Sequence, residues 1–267
     1  MPTEPLWQGL LSREHWIVAG ALAIAIALAW AALFAMDVGA GSMTMTQAGG
    51  MDAMPGWSAS YAVSVFLMWT VMMVAMMLPS AAPMILLYAR VARHAQAGAA
   101  LAPSASFAGV YVAVWTAFSL AATLAQWLLT QVGVVSDATM ALGDARVGGA
   151  LLIAAGLYQL TPLKRMCLAH CRSPLSILTT HWRPGISGAV RLGLAHGGYC
   201  LGCCWLIMAL LFVGGVMNLV WVVALAAIVL AEKVLPYGER VGQGAGALAL
   251  FAGIALIIDP VFLQKGI

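Results

Sequence analysis

Runs of about 18 or more apolar residues recur along the chain, and this constrains its fold more than any other feature. In hydrocarbon no water can satisfy a backbone N–H or C=O. Each run must therefore close its own hydrogen bonds as a helix. The short alternating segments of a membrane β-barrel are absent. The chain is 63% hydrophobic and 8% charged, where soluble domains carry about 25% charged residues. The expected fold is an all-α, polytopic membrane helical bundle, with residues 1–267 forming one integral membrane domain.

Seven spans are expected, near 16–36, 60–88, 107–132, 147–163, 193–213, 217–235 and 244–263. Six is the alternative count, because Asp259 and Pro260 interrupt the last segment. Pro162 is placed to end or kink the short fourth one. Val38-Gly39-Ala40 resembles a signal-peptide cleavage site, but the apolar run before it is long for a signal sequence. Seven spans put Arg13, Arg90, Arg93, Lys164, Arg165, Arg172, Arg183, Arg191, Lys233 and Arg240 on one side, which is 10 of the 12 Lys and Arg. The other side holds Asp37, Asp52, Asp137, Asp144 and Asp259, with Arg146 and Lys265. Positive charge marks the cytoplasmic side, so the N-terminus is expected inside. The net charge of +3 then reflects topology and gives no reason to expect nucleic-acid binding. The connections at 37–59 and 164–191 read as irregular segments or short interfacial helices.

All five cysteines lie between 167 and 204. On a helix, His196, Cys200, Cys203, Cys204 and Met208 are separated by steps of three and four and share a face. Starting that helix near Gly193 places them in its cytoplasmic half. Gly197, Gly198 and Gly202 leave room for a neighbouring helix. Cys167, His170 and Cys171 form a second cluster on the same expected side, with His181 close in sequence. The two clusters could converge if the fourth and fifth spans are neighbours. Thiolate and imidazole suit soft or borderline ions such as Cu(I) and Zn(II). Small apolar filler and thiol redox chemistry are the other readings of these cysteines, and metal binding is favoured. The spacing matches no zinc finger.

The second span carries a stripe of sulfur. Met68, Met72 and Met76 follow at steps of four, with Met73 and Met77 beside them. All fall within half of the helix together with Trp69, and Val71, Val74 and Leu78 take the other half. Thioethers bind Cu(I), but methionine also fills irregular gaps between helices, and packing is the favoured reading of this helix taken alone. Met36, Met43, Met45, Met51 and Met54 recur in a Gly-rich connection, where Met43-Thr-Met45 resembles spaced thioethers for copper capture. Pro79 and Pro83 free backbone carbonyls near the inner end of the second span, and Ser80 is placed to satisfy one. Gln126, Gln159 and Asn218 are expected to bond neighbouring helices. Glu232-Lys233 reads as a structural ion pair or interfacial anchor, or else Glu232 is a proton or cation site near the thiols. No nucleotide fingerprint, phosphate loop, catalytic triad or haem-attachment motif is present.

Several long blocks resemble a bacterial family. They are Trp69-x2-Met-Met-x-Ala-Met-Met-Leu-Pro-Ser-x2-Pro83, then Ala155-Gly-Leu-Tyr-Gln-Leu-Thr-Pro-Leu-Lys164, then Cys167-Leu-Ala-His-Cys-Arg-Ser-Pro174. His196-Gly-Gly-Tyr-Cys-Leu-Gly-Cys-Cys-Trp205, Gly215-Val-Met-Asn-Leu-Val-Trp221 and Glu232-Lys233 complete the match. The family is domain of unknown function 2182, described as predicted metal-binding integral membrane proteins, and the likeness spans about 60–240. The resemblance implies a metal-handling membrane protein. It carries over Met72, Met76, Met77, Cys167, His170, Cys171, Cys200, Cys203 and Cys204 as candidate ligands.

The leading expectation is a multi-pass protein of the bacterial inner membrane that binds or transports a soft metal ion, Cu(I) before Zn(II). The candidate ligands are Cys200, Cys203, Cys204, His196, Cys167, His170, Cys171, Met68, Met72, Met76, Met77, Met43 and Met45. Weak thioethers leading to stronger thiolates would make inward movement downhill. The partners expected are the metal ion, the lipid bilayer and a metallochaperone or other membrane protein. The alternatives are a membrane thiol–disulfide oxidoreductase using Cys200 and Cys203, and a non-catalytic membrane subunit. Catalysis is not the favoured expectation.

Overall fold

The computed structural model describes residues 13–46, 57–95, 101–136 and 140–259. Among these, ten helices follow in order: α1 (Arg13–Thr46), α2 (Ala59–Ala95), α3 (Leu101–Gln131), α4 (Ala145–Gln159), α5 (Pro162–Arg172), α6 (Pro174–His181), α7 (Gly185–Ala209), α8 (Leu211–Gly214), α9 (Leu219–Val234) and α10 (Gly238–Ile258). Five segments are long and apolar enough to cross a membrane: Glu14–Asp37, Ala59–Ala95, Leu101–Gln131, Gly185–Gly214 and Gly238–Ile258. The other two expected spans are helical but shorter. α4 has 15 residues and α9 has 16, or roughly 22–24 Å at about 1.5 Å per residue. A hydrocarbon core is about 30 Å thick.

Local chemistry explains these lengths. The Asp144 side chain caps α4 by accepting from the Arg146 amide. Thr161 then caps α5 and Pro162 opens it, so the expected fourth span divides at 160–161 into two helices. Asn218 caps α9 by accepting from the Trp221 amide, a local role in place of the expected bond to another helix. The basic connection folds as α5, α6 and the first turns of α7. That helix begins at Gly185, eight residues before the expected start near Gly193, and Gly185 has a φ of +82°. Cys200 therefore lies about 22 Å along α7, near its middle. At the other end of the bundle, α1 continues to Thr46, past the expected boundary at 36. α2 runs through both Pro79 and Pro83.

Large apolar side chains such as Leu28, Leu124, Leu128, Leu248 and Phe251 are exposed. In water they would be an aggregation hazard, whereas lipid satisfies them. α4 and α10 meet glycine to glycine. A Cβ on Gly149 would stand 2.7 Å from the Gly253 carbonyl oxygen, and one on Gly156 would stand 2.6 Å from that of Gly246. α7 approaches α3 by the same means, with Gly193 against the Phe107 carbonyl and Gly197 against Val114. Gly198 meets nothing within 4 Å, unlike its two neighbours in the expected set.

Gly156→Val should push α4 off α10 and lower stability by roughly 1–3 kcal/mol. Thermal unfolding in detergent reads this, with Gly198→Ala as the control. An unchanged midpoint for Gly156→Val would show that the helix pair does not depend on this contact.

Candidate metal centre

The thiol face of α7 forms as its spacing predicts. His196, Cys200, Cys203, Cys204 and Met208 are all buried. The sulfur stripe of α2 is buried too, across Met68, Met72, Met73, Met76 and Met77 with Trp69. Val71 and Val74 are half-buried, while Leu78 is buried like the stripe itself and shares a gap with Leu22 of α1. Trp69 donates to Gln126 of α3 at 2.7 Å, the interhelical bond expected of that glutamine.

Two sulfur contacts join separate elements. Cys171 Sγ of α5 lies 4.0 Å from Cys203 Sγ of α7. Cys204 Sγ lies 3.8 Å from Met77 Sδ of α2. Cys167 packs on Gly202, where a Cβ would stand 2.9 Å from its sulfur. The two cysteine clusters thus converge, and glycine at 202 is what admits the second. Burial pushes the Cys167 thiol above its usual range, and the nearby Cys203 adds to this. A metal must displace protons to bind such thiols. Cys203 and Cys204 both donate to the Cys200 carbonyl, at 3.1 and 2.8 Å.

Two further groups touch this sulfur cluster, Lys233 and Tyr111, and Ser80 supports them; none stood out among its expected members. Lys233 Nζ donates to Cys200 Sγ at 2.9 Å and to Ser80 Oγ at 3.1 Å. The Tyr111 hydroxyl lies 3.0 Å from Cys200 Sγ and donates to the Met77 carbonyl at 3.2 Å. Ser80 donates to the same carbonyl at 2.8 Å, which is not one of the carbonyls at 75 and 79 that Pro79 and Pro83 free, so the expected role of Ser80 falls to a different group. A charge late in an apolar segment was the available sign of Lys233. Tyr111 carries no local sign, because its place depends on how α3 packs on α7.

Glu232 and Lys233 do not form a pair with each other. Successive helical residues point about 100° apart, so the two face different neighbours. Glu232 takes Lys164 at 2.6 Å and Gln159 at 2.7 Å, all buried. This clasp binds the end of α4 and the start of α5 to α9.

The histidines divide. His196 is buried with its ring beside Phe107 and Tyr111, and its Nδ1 has no hydrogen-bond partner among the described residues. His170 is exposed, stacked on Tyr199 at 4.2 Å with Nδ1 2.8 Å from the Met166 carbonyl oxygen. Met43 and Met45 lie in the last turns of α1, and their side chains fall outside the described residues, as does that of His181. Met51 and Met54 fall outside them altogether. Among the described residues no three His, Cys, Asp or Glu side chains are grouped so as to hold a metal ion. The donors that do meet across elements are sulfurs in pairs, one of them a thiol with a thioether.

A family model described as PpoB2, copper chaperone, matches residues 66–256. This is most of the chain, and the chain belongs to that family. A copper-related family is compatible with the metal-binding membrane family that the sequence resembles. No curated protein and no solved structure matches.

Removing one partner of a buried ion pair typically costs about 3–5 kcal/mol, because the other charge stays behind. Lys164→Met should therefore destabilise the protein strongly, and adding Glu232→Leu should restore most of the loss. Denaturant unfolding of both variants reads this. A mild Lys164→Met effect would show that Glu232 does not need its cation.

Proposed function

From membership of a copper-chaperone family, we propose that this protein carries Cu(I) as cargo in the bacterial inner membrane, on a buried centre of cysteine and methionine sulfur. Cys171 with Cys203 and Cys204 with Met77 are the principal donors, with Cys200 and Cys167 completing the cluster. The convergence of thiols from α5 and α7 with a thioether from α2 is the observation that carries this reading. Two metal–sulfur bonds of about 2.3 Å can span up to about 4.6 Å. At 4.0 and 3.8 Å, either pair is close enough to hold the one ion of this centre in a bent arrangement.

Charge supports a monovalent cargo over Zn(II). Cu(I) on two thiolates has a net charge of −1, and the Lys233 ammonium beside Cys200 offsets it. A divalent ion on the same two thiolates would leave that ammonium unbalanced in a buried site, which is costly. Thioether ligation points the same way, since it suits soft ions. The methionines of α2 then lead to the thiols from the opposite end of the helix, and a metallochaperone or another membrane protein would receive or deliver the ion.

The 4.0 Å approach of Cys171 to Cys203 also favours a second reading, thiol–disulfide exchange, through a different pair from the expected Cys200 and Cys203. Metal analysis separates the two. The reduced, detergent-purified full chain should hold at least one equivalent of copper by mass spectrometry. Cys200→Ser, Cys203→Ser and Cys204→Ser together should remove the thiolate-bound ion, read as the loss of one equivalent. A protein that stays empty after anaerobic loading with Cu(I) and Zn(II) overturns the copper reading. A mixed disulfide trapped in Cys203→Ser would then put thiol exchange in its place.

A further inference from the structure

A second methionine-bordered site lies between the last third of α1, the first half of α2 and the turn between α8 and α9. Its cavity measures about 20 Å³ and is bordered by Met36 of α1, Met68 and Met72 of α2, and Met217 of the turn between α8 and α9. Asp37 is exposed and borders the same cavity. A volume near this size holds about one water-sized body. It therefore has room for one ion and none for an organic ligand.

The four thioethers come from three separate elements, so helical periodicity on α2 alone does not account for their meeting. Methionine often fills irregular gaps. Here, however, the four methionines share the border with Leu33, Val216, Leu219 and Val222, and the gap between them stays open. Thioethers without a thiol or imidazole select soft, monovalent cations. The Asp37 carboxylate at the rim favours a cation over an anion and attracts it from solution.

The geometry points to an entry site for Cu(I) formed by Met36, Met68, Met72 and Met217, with Asp37 at its mouth. The inference rests on the copper reading above and adds a second, separately loadable ion. Met72 and Met77 are five residues apart on α2, or about 7–8 Å along its axis. Met73 and Met76 lie between them, and Met77 already touches Cys204. One hand-over along buried thioethers therefore connects the entry site to the thiols. No bond is made or broken within the protein beyond exchange of sulfur ligands on the ion. The ion stays Cu(I) throughout.

The test is anaerobic Cu(I) titration of the reduced full chain against a chromophoric Cu(I) chelator, with X-ray absorption to identify the ligands. Wild type should take two ions. Met36→Leu, Met68→Leu and Met217→Leu together should take one, held by thiolate sulfur. Leucine conserves the volume of methionine closely, so this variant should fold. Asp37→Asn should keep both ions and slow the loading of the first. As a second measurement, the Cys200/Cys203/Cys204→Ser variant should retain one ion with thioether ligation. One ion in wild type that is unaffected by the methionine changes overturns the entry site and leaves the thiol centre standing. So does a cysteine variant whose copper persists when the three methionines are also replaced. No copper on any form overturns both.

Discussion

Much of the arrangement depends on one buried carboxylate. Glu232 is 1% exposed inside the bundle and requires a cation. Lys164 and Gln159 answer it, and both come from the junction of α4 and α5. That clasp anchors α5 beside α9, where Arg172 also donates to the Leu235 and Pro236 carbonyls. Held there, α5 lays Cys167 and Cys171 on α7. With Glu232 engaged elsewhere, the adjacent Lys233 turns to Cys200. A structural ion pair on one side of α9 thus settles the electrostatics of the sulfur cluster on another.

On the proposed copper reading, the sulfur cluster would let a low-dielectric interior accept a charged cargo. Thiols are nearly apolar while protonated and pack as small core groups. They become anionic when a metal replaces their protons. A lysine already in contact with one of them supplies balancing charge at that moment. Tyr111 and Ser80, hydrogen-bonded to the Met77 carbonyl, steady the segment of α2 that presents the thioether. The methionines add donors that never carry charge, so a stripe of them can line a helix in the membrane without a desolvation cost.

Much of this is legible in the sequence and some is not. The shared face of His196, Cys200, Cys203 and Cys204 follows from helical period. So does the buried stripe from Met68 to Met77. The division of the fourth expected span follows from Thr161 and Pro162. The early start of α7 at Gly185 is not legible, because Arg183 and Arg191 read as part of a basic connection. Nor is the separation of Glu232 from Lys233, since adjacent opposite charges invite pairing until their neighbours are known. His170 and Cys171 are adjacent in sequence, yet one stacks on Tyr199 at the surface and the other meets Cys203.

By itself the sequence determined the class of fold, because an unpaired backbone cannot sit in hydrocarbon and apolar runs of this length must be helical. It also determined which side chains share a face, because 3.6 residues per turn is a local rule. The tertiary structure alone decided which faces meet. Cys171 and Cys203 are 32 residues apart, and Met77 and Cys204 are 127 apart. Their contact rests on glycine-sized gaps between helices and on the partner that a buried carboxylate takes. Both depend on long-range packing that helical period does not encode.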